Sequence, residues 1–252
     1  MMLLETNNLT KRFGELTAVD GVDLQIQQGD SLSIIGPNGA GKSTTVNLIT
    51  GLLNPSEGSV QFRGEDITGK EPHQIVQRGL SKSFQTASIF PELSVKRNAI
   101  VAALGAEHGS FSVNFFKRLV DYGDVLDRAE ETLRDMGLYE QRDIMAKSLP
   151  YGDKRRLEMA LALASDPDLL FLDEPTAGMS PDETDHTVDL IERIKDERGV
   201  TIVLIEHDME IIFRVSDRIA VLNRGAKIAD GTPDEIHGDP DVQEAYLGGV
   251  EI

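Results

Sequence analysis

The apolar positions of this chain follow two rhythms that take turns along its length. Over roughly the first 63 residues they recur at every second position, with Val22, Leu24 and Ile26 on one face and Val60 and Phe62 on another. Turn-forming strings such as Gln28-Gly29-Asp30 separate them, which predicts short strands in a small antiparallel sheet. Among them lies a mostly apolar stretch, Leu32 to Ile35, followed by a glycine-rich run and then a helix with Val46, Ile49 and Leu53 on one face. From about Gln85 to Ala164 the spacing turns helical, with Val125, Ala129, Leu133 and Met136 on one stripe, and predicts an inserted helical subdomain. After Pro167 strands and helices alternate: strand Leu169 to Leu172, helix Asp182 to Glu197, strand Val200 to Ile205, helix Met209 to Val215, strand Ile219 to Leu222. Strands apolar on both faces and alternating with helices predict a mostly parallel core sheet in an α/β fold. The sequence contains no internal repeat or low-complexity tract.

Composition narrows the class. With 252 residues, 40% of them hydrophobic, the chain can bury one α/β core carrying a modest subdomain. Its apolar runs all fall short of the roughly 18 to 20 residues that span a bilayer, and the first residues lack the apolar core of a secretory signal, so a membrane role would run through partners. The absence of cysteine excludes disulfides and thiolate metal sites and fits a reducing cytosol. A net charge of −18, from 43 acidic against 25 basic residues, argues against a broad basic face and so against nucleic acid as a partner. The acidity has two readings, plain solubility or life in high salt.

Three strings carry the chemistry. Gly36-Pro37-Asn38-Gly39-Ala40-Gly41-Lys42-Ser43-Thr44 fits G-x-x-x-x-G-K-[ST] and sits between a buried strand and a helix, where a phosphate loop belongs. Its glycines let the backbone turn N–H groups inward as an anion nest, and the helix N-terminus adds its positive dipole end. Lys42 is suited to the β- and γ-phosphates and Ser43 to a magnesium ion. The apolar strand at Leu169 ends in Asp173-Glu174, where Asp173 suits the metal and Glu174, expected on the opposite face, suits the attacking water. A second strand ends in Glu206-His207-Asp208, and His207 there suits a γ-phosphate contact better than a capping or core role. His73, His108, His186 and His237 lack such a setting and are expected at the surface.

The order of phosphate loop, Gln85, a loop at Leu149-Pro150-Tyr151-Gly152-Asp153, Asp173-Glu174 and His207 resembles the ATP-binding cassette ATPases along nearly the whole chain. The resemblance implies a P-loop NTPase with residues 1–84 and 165–252 forming the catalytic core and its antiparallel subdomain, and residues 85–164 forming the helical signature subdomain. It implies ATP and Mg²⁺ as cofactors, Phe13 stacked on adenine, and Gln85 touching metal and water. It also implies a head-to-tail dimer with an identical or paralogous subunit, in which Tyr151, Gly152 and Asp153 of one subunit meet the nucleotide of the other.

The signature loop departs from the family's Leu-Ser-Gly-Gly-Gln, with Pro150, Tyr151 and Asp153 in place of serine, the first glycine and glutamine. Contact across the dimer would then fall to backbone amides near Gly152 and to the helix starting there, with Asp153 expected to cap it. Lys154-Arg155-Arg156 at that helix start opposes the dipole, and is either drawn to the partner's nucleotide or a solvated basic turn. Ser180 stands where many relatives carry the aspartate of a dimer-contact loop. These departures, with EPTAGMSPDE, IEHDM and DPDVQEAYLG, are similar to the ATPases of branched-chain amino-acid importers, a subgroup with a longer helical segment that Ala103 to Asp124 would supply. Relatives that import urea or short amides, a lipopolysaccharide exporter ATPase, and a non-hydrolysing nucleotide-gated assembly module, against which Glu174 argues, are alternatives. A peripheral place at the cytoplasmic face follows, with permease subunits docked near Gln85 to Ile100, where Ile89 and Phe90 flank Pro91, and a solute-binding receptor as indirect partner.

Overall fold

The computed structural model describes residues 1–83, 89–108 and 123–247 and divides into two compact units. Gln85, with much of the stretch from Ala103 to Asp124, lies outside the described residues, as does the side chain of His108.

The first unit comprises Met1–Pro72 and the described residues from Val200 onward. Strands β1 (Met2–Phe13), β2 (Leu16–Val22) and β3 (Gln25–Gln27) open it, followed by β4 (Ser31–Ile35), helix α1 (Lys42–Ile49), β5 (Glu57–Phe62) and β6 (Glu65–Asp66). As the alternation predicts, they build an antiparallel sheet in the order β2-β1-β5-β6, with β3 also paired to β1. Thr6 manages the passage from β2 to β3: its hydroxyl donates to the Val22 carbonyl and accepts from the Leu24 amide, both at 2.8 Å. Val22, Leu24, Ile26, Val60 and Phe62 are buried as expected. Leu53 departs from the expectation, because α1 ends at Ile49 and the chain turns through Thr50 and Gly51, the latter at φ 73°.

The second unit comprises the described residues of His73–Gly199. It opens with the last residues of α2 (Pro72–Val76) and then β7 (Leu80–Lys82). Helices α3 (Val95–His108), α4 (Gly123–Asp135) and α5 (Tyr151–Leu163) pack on one another, with Val125, Ala129, Leu133 and Met136 buried as their spacing predicts. Strand β8 (Leu169–Asp173) runs parallel to β7 and is followed by α6 (Pro181–Arg198). The chain from Arg142 to Lys147 is laced by backbone hydrogen bonds to Pro91, Leu93, Val95 and Lys96.

Back in the first unit come β9 (Thr201–Ile205), α7 (Met209–Val215), the antiparallel pair β10 (Arg218–Asn223) and β11 (Ala226–Gly231), and helices α8 (Pro233–His237) and α9 (Pro240–Leu247). Strand β4 lies parallel between β9 and β10, and every residue of β4 and β9 is buried. This two-sided burial is what their mostly apolar sequences fit, with the buried Ser33 hydroxyl paired to that of Ser216 at 2.5 Å. Ile35, Ile212, Ile219, Val221, Ile236 and Val242 form one buried cluster under this sheet.

Candidate functional site

Strand β4 delivers the chain into the phosphate loop, and three glycines bend it. Gly36, Gly39 and Gly41 have φ of 147°, 79° and 101°. A Cβ on Gly36 would lie 2.0 Å from the Leu222 carbonyl oxygen, and one on Gly41 2.6 Å from that of Ala18, so the close approach of neighbouring backbone excludes side chains there. The hairpin turn after β10 braces the loop, its Gly225 amide donating to Ala40 and its Gly225 carbonyl accepting from Asp20. That buttress was not readable from the loop motif itself. Helix α1 starts at Lys42 with no side chain capping it, so its N-terminal amides and positive dipole end adjoin the loop. The Lys42 Nζ donates to the carbonyls of Gly36 at 2.6 Å and Pro37 at 3.1 Å, while Ser43 is exposed. Phe13 sits exposed at the tip of the β1–β2 hairpin with the Lys11 ammonium 5.2 Å from its ring centroid, so it is not a core residue.

His207 follows β9 at the surface, and its amide donates to the buried Glu206 carboxylate at 3.1 Å. The cap of α7 is Asp208, which accepts from the Glu210 amide. His207 is therefore neither a cap nor a core residue. His73, His186 and His237 are exposed as expected.

In the second unit, β8 ends at Asp173, and Glu174 takes a left-handed backbone with φ 50° immediately before Pro175. This corrects the expectation that strand alternation orients Glu174: the strand has already ended, and a turn closed by the Ala177 amide on the Glu174 carbonyl sets its direction. A non-glycine residue held there carries about 1 to 3 kcal/mol of strain, a cost found most often at functional positions. Asp173 is buried, and its Oδ2 lies 3.0 Å from the Lys82 ammonium on β7. Its Oδ1 is buried with no hydrogen-bond partner in the structure. An orphaned carboxylate oxygen of this kind fits a cation, as the glycine cradle in the other unit fits a phosphate. Among the described residues no cluster of three or more His, Cys, Asp or Glu could hold a metal alone, so hydroxyl, phosphate and water oxygens would complete the shell. Lys82 was missed in the sequence; its one signal is a lone cation closing the short strand Leu80-Ser81-Lys82.

The signature loop meets α5 at Pro150, and no side chain caps that helix. Asp153 does not serve as the expected cap, because its carboxylate is taken by Arg156 and accepts from Gln141 at 3.3 Å. The anions that hold Arg155 and Arg156 in place are also internal. Arg155 donates to Glu158 at 3.0 Å and to the Tyr151 hydroxyl at 3.1 Å, and Arg156 pairs with Asp153 and reaches His186. The reading of these arginines as a solvated basic turn therefore gives way to ion pairs one helical turn apart. The Tyr151 ring lies against Gly178, whose φ of 76° and lack of a side chain make room for it. Ser180 donates to Glu183 through both its amide and its hydroxyl, which holds the Glu183 carboxyl below the usual range and opens α6.

Phe90 is 51% exposed, whereas Asn98 beneath it is 1% exposed. The Asn98 side chain accepts from the Phe90 amide at 2.7 Å and donates toward the carbonyls of Phe90, Leu93 and Ser94. Ile89 is half-buried, and Ile144 and Met145 in the laced segment are also exposed.

The profile of the ABC transporter family matches residues 19–177, and that of the branched-chain amino acid ATP-binding cassette transporters matches residues 226–252. The high-affinity branched-chain amino acid transport ATP-binding protein BraF of Pseudomonas aeruginosa is 40% identical over 253 residues, covering 98% of each chain. Among solved structures, the ADP conformation of an ATP-binding cassette of an ABC transporter superposes with a TM-score of 0.85 at 33% identity, over 98% of this chain and 99% of that one. A dimeric post-hydrolysis cassette bound to ADP and Pi gives 0.77 at 25% identity, over 92% and 99%.

Proposed function

The chain belongs to the ABC transporter family, with the P-loop NTPase fold of its cassettes, and on that premise we propose that it is the ATP-hydrolysing subunit of a branched-chain amino-acid importer. The family's general activity is ATP hydrolysis coupled to transport. The observation that carries the substrate reading is the end-to-end similarity to a branched-chain amino acid transport ATP-binding protein, joined by the matching profile at the C-terminal end. None of the described helices is long and apolar enough to cross a membrane. In this reading the chain sits at the cytoplasmic face through permease subunits, which receive their solute from a binding receptor.

Each residue then has a role. The amides from Gly36 to Thr44 and the start of α1 bind the phosphates, with the Lys42 ammonium compensating their charge. The Phe13 ring stacks on adenine. Ser43 and the unpaired Oδ1 of Asp173, with Gln85, hold Mg²⁺. When bound, the metal neutralises charge building on the transferred phosphoryl group. Glu174 takes a proton from the attacking water, and His207 positions that water against the γ-phosphate. The uncapped start of α5, with the amides of Tyr151, Gly152 and Asp153, meets the nucleotide of a second cassette subunit, identical or paralogous. Phe90, held outward by Asn98, with Ile89 beside it, takes the permease.

Reconstitution with the permease and receptor subunits in liposomes loaded with ATP tests this reading. Leucine uptake that needs ATP and is competed by isoleucine and valine is the expected result. Uptake of urea, or export of lipopolysaccharide, with leucine ignored, would overturn the substrate assignment.

A further inference from the structure

Asp173 is the one carboxylate on β8, and its two oxygens have different surroundings. Oδ2 is paired with Lys82 at 3.0 Å, with the side chains 8% and 3% exposed, whereas Oδ1 has no partner. Both residues sit on adjacent parallel strands, where Lys82 pairs in register with Phe171 and the Asp173 amide reaches the Ser83 hydroxyl at 3.4 Å. The strand pairing thus sets the two backbones side by side and keeps the Lys82 ammonium within reach of Asp173. A buried carboxylate beside a fixed ammonium keeps little net charge with which to attract a second cation.

We propose that Lys82 is a built-in counter-ion for the metal-binding carboxylate: it holds Asp173 with Oδ1 presented, and it weakens the site so that a divalent metal is retained only together with nucleotide phosphates. This inference rests on the assignment of Asp173 to the metal. Without Lys82, a divalent ion would be the cation that compensates the buried Asp173 carboxylate, and it would bind in the absence of nucleotide. With Lys82, the phosphates must supply the missing negative charge, which ties metal loading to nucleotide loading and metal release to product release. Lys82 is in this sense a positioning residue that sets the order of binding rather than a group that touches the reacting atoms. It stands three residues before Gln85 in the sequence, on the strand that leads toward it.

Mn²⁺ titration read by the EPR signal of the free ion tests the idea on the full-length chain, with and without ADP. Lys82→Gln keeps a donor for Oδ2 but removes the charge, and Lys82→Arg keeps the charge. The expected result is a Mn²⁺ midpoint at least about tenfold lower in Lys82→Gln without nucleotide, and unchanged in Lys82→Arg. A midpoint that is unchanged or higher in Lys82→Gln would overturn the proposal. If Lys82→Gln fails to fold, Lys82→Gln with Asp173→Asn removes the uncompensated charge: recovery of folding supports the counter-ion role, and failure again overturns it. Asp173→Asn alone separates the two readings. If it leaves Mn²⁺ binding with ADP intact, the metal assignment itself fails; if it abolishes that binding while Lys82→Gln leaves the midpoint unmoved, the counter-ion inference fails alone.

Discussion

Asn98→Ala removes a side chain that organises the exposed turn around Phe90, and its cost can be worked from the hydrogen bonds lost. Asn98 is 1% exposed, accepts from the Phe90 amide at 2.7 Å, and donates to the carbonyls of Phe90 and Ser94 at 3.0 Å and of Leu93 at 3.4 Å. A buried polar group left without a partner costs about 1 to 3 kcal/mol. Each of the carbonyls of Phe90, Leu93 and Ser94 keeps a backbone donor, from Leu93, Ala146 and Asn98 respectively, so the Phe90 amide is the group whose partner is lost. That puts the cost at about 1 to 3 kcal/mol. For a chain of this size it corresponds to a melting point lower by about 2 to 12 °C. Asn98→Asp separates support from bulk: it keeps an acceptor for the Phe90 amide but sets a carboxylate oxygen against three carbonyls, so it should cost at least as much as alanine. The assay is urea and thermal denaturation of both variants, paired with permease-stimulated ATP turnover. Nucleotide affinity should hold while stimulation falls, because Phe90 is no longer fixed outward. A loss under about 0.5 kcal/mol for Asn98→Ala, the range of an ordinary surface change, would refute the claim that this side chain carries the turn.

Three further outcomes follow from the geometry. Gly36→Ala would set a methyl 2.0 Å from the Leu222 carbonyl at a φ of 147°, so fluorescent-nucleotide titration should show binding weakened by about a hundredfold or more, and unchanged affinity would contradict the cradle. Phe90→Asp should reduce leucine uptake by about thirtyfold in the reconstituted transporter while ATP affinity stays within about twofold, and normal uptake would remove Phe90 from the docking surface. Burial lifts the Glu158 carboxyl above its ordinary 4.5, with Arg155 pulling it back. The folded chain then holds that proton more tightly than the unfolded chain, so stability falls as pH rises from 4.5 through the raised value. Glu158→Gln should flatten the melting profile across that window, and an unaltered slope would assign the pH dependence elsewhere.

Much of this site was legible in the sequence because its signals are local. The phosphate loop needs positive φ at fixed offsets, so its glycines announce themselves, and fully buried strands such as Leu169 to Asp173 stand out as apolar runs with a polar end. What escaped depends on partners distant in the chain. Lys82 and Asp173 meet only because β7 and β8 pair, 91 positions apart, and the Gly225 brace reaches Ala40 from the far side of the sequence. Local reading also misjudged Asp153 and Glu174. The first is one turn before Arg156, whose ion pair outcompetes capping, and the second lies beyond its strand, where alternation no longer holds. The basic run looked odd in sequence because the anions of Arg155 and Arg156 are folded against them one helical turn away.

The central claim is that this chain turns over ATP with Glu174 as the base, and one comparison tests it most directly: steady-state Mg-ATP hydrolysis and dimerisation of the native chain against Glu174→Gln, with and without the permease. Turnover should fall by at least about a hundredfold in Glu174→Gln while ATP binding persists and an ATP-bound dimer accumulates. Hydrolysis by Glu174→Gln at the native rate, or none by the native chain even with its membrane partners, would contradict the account.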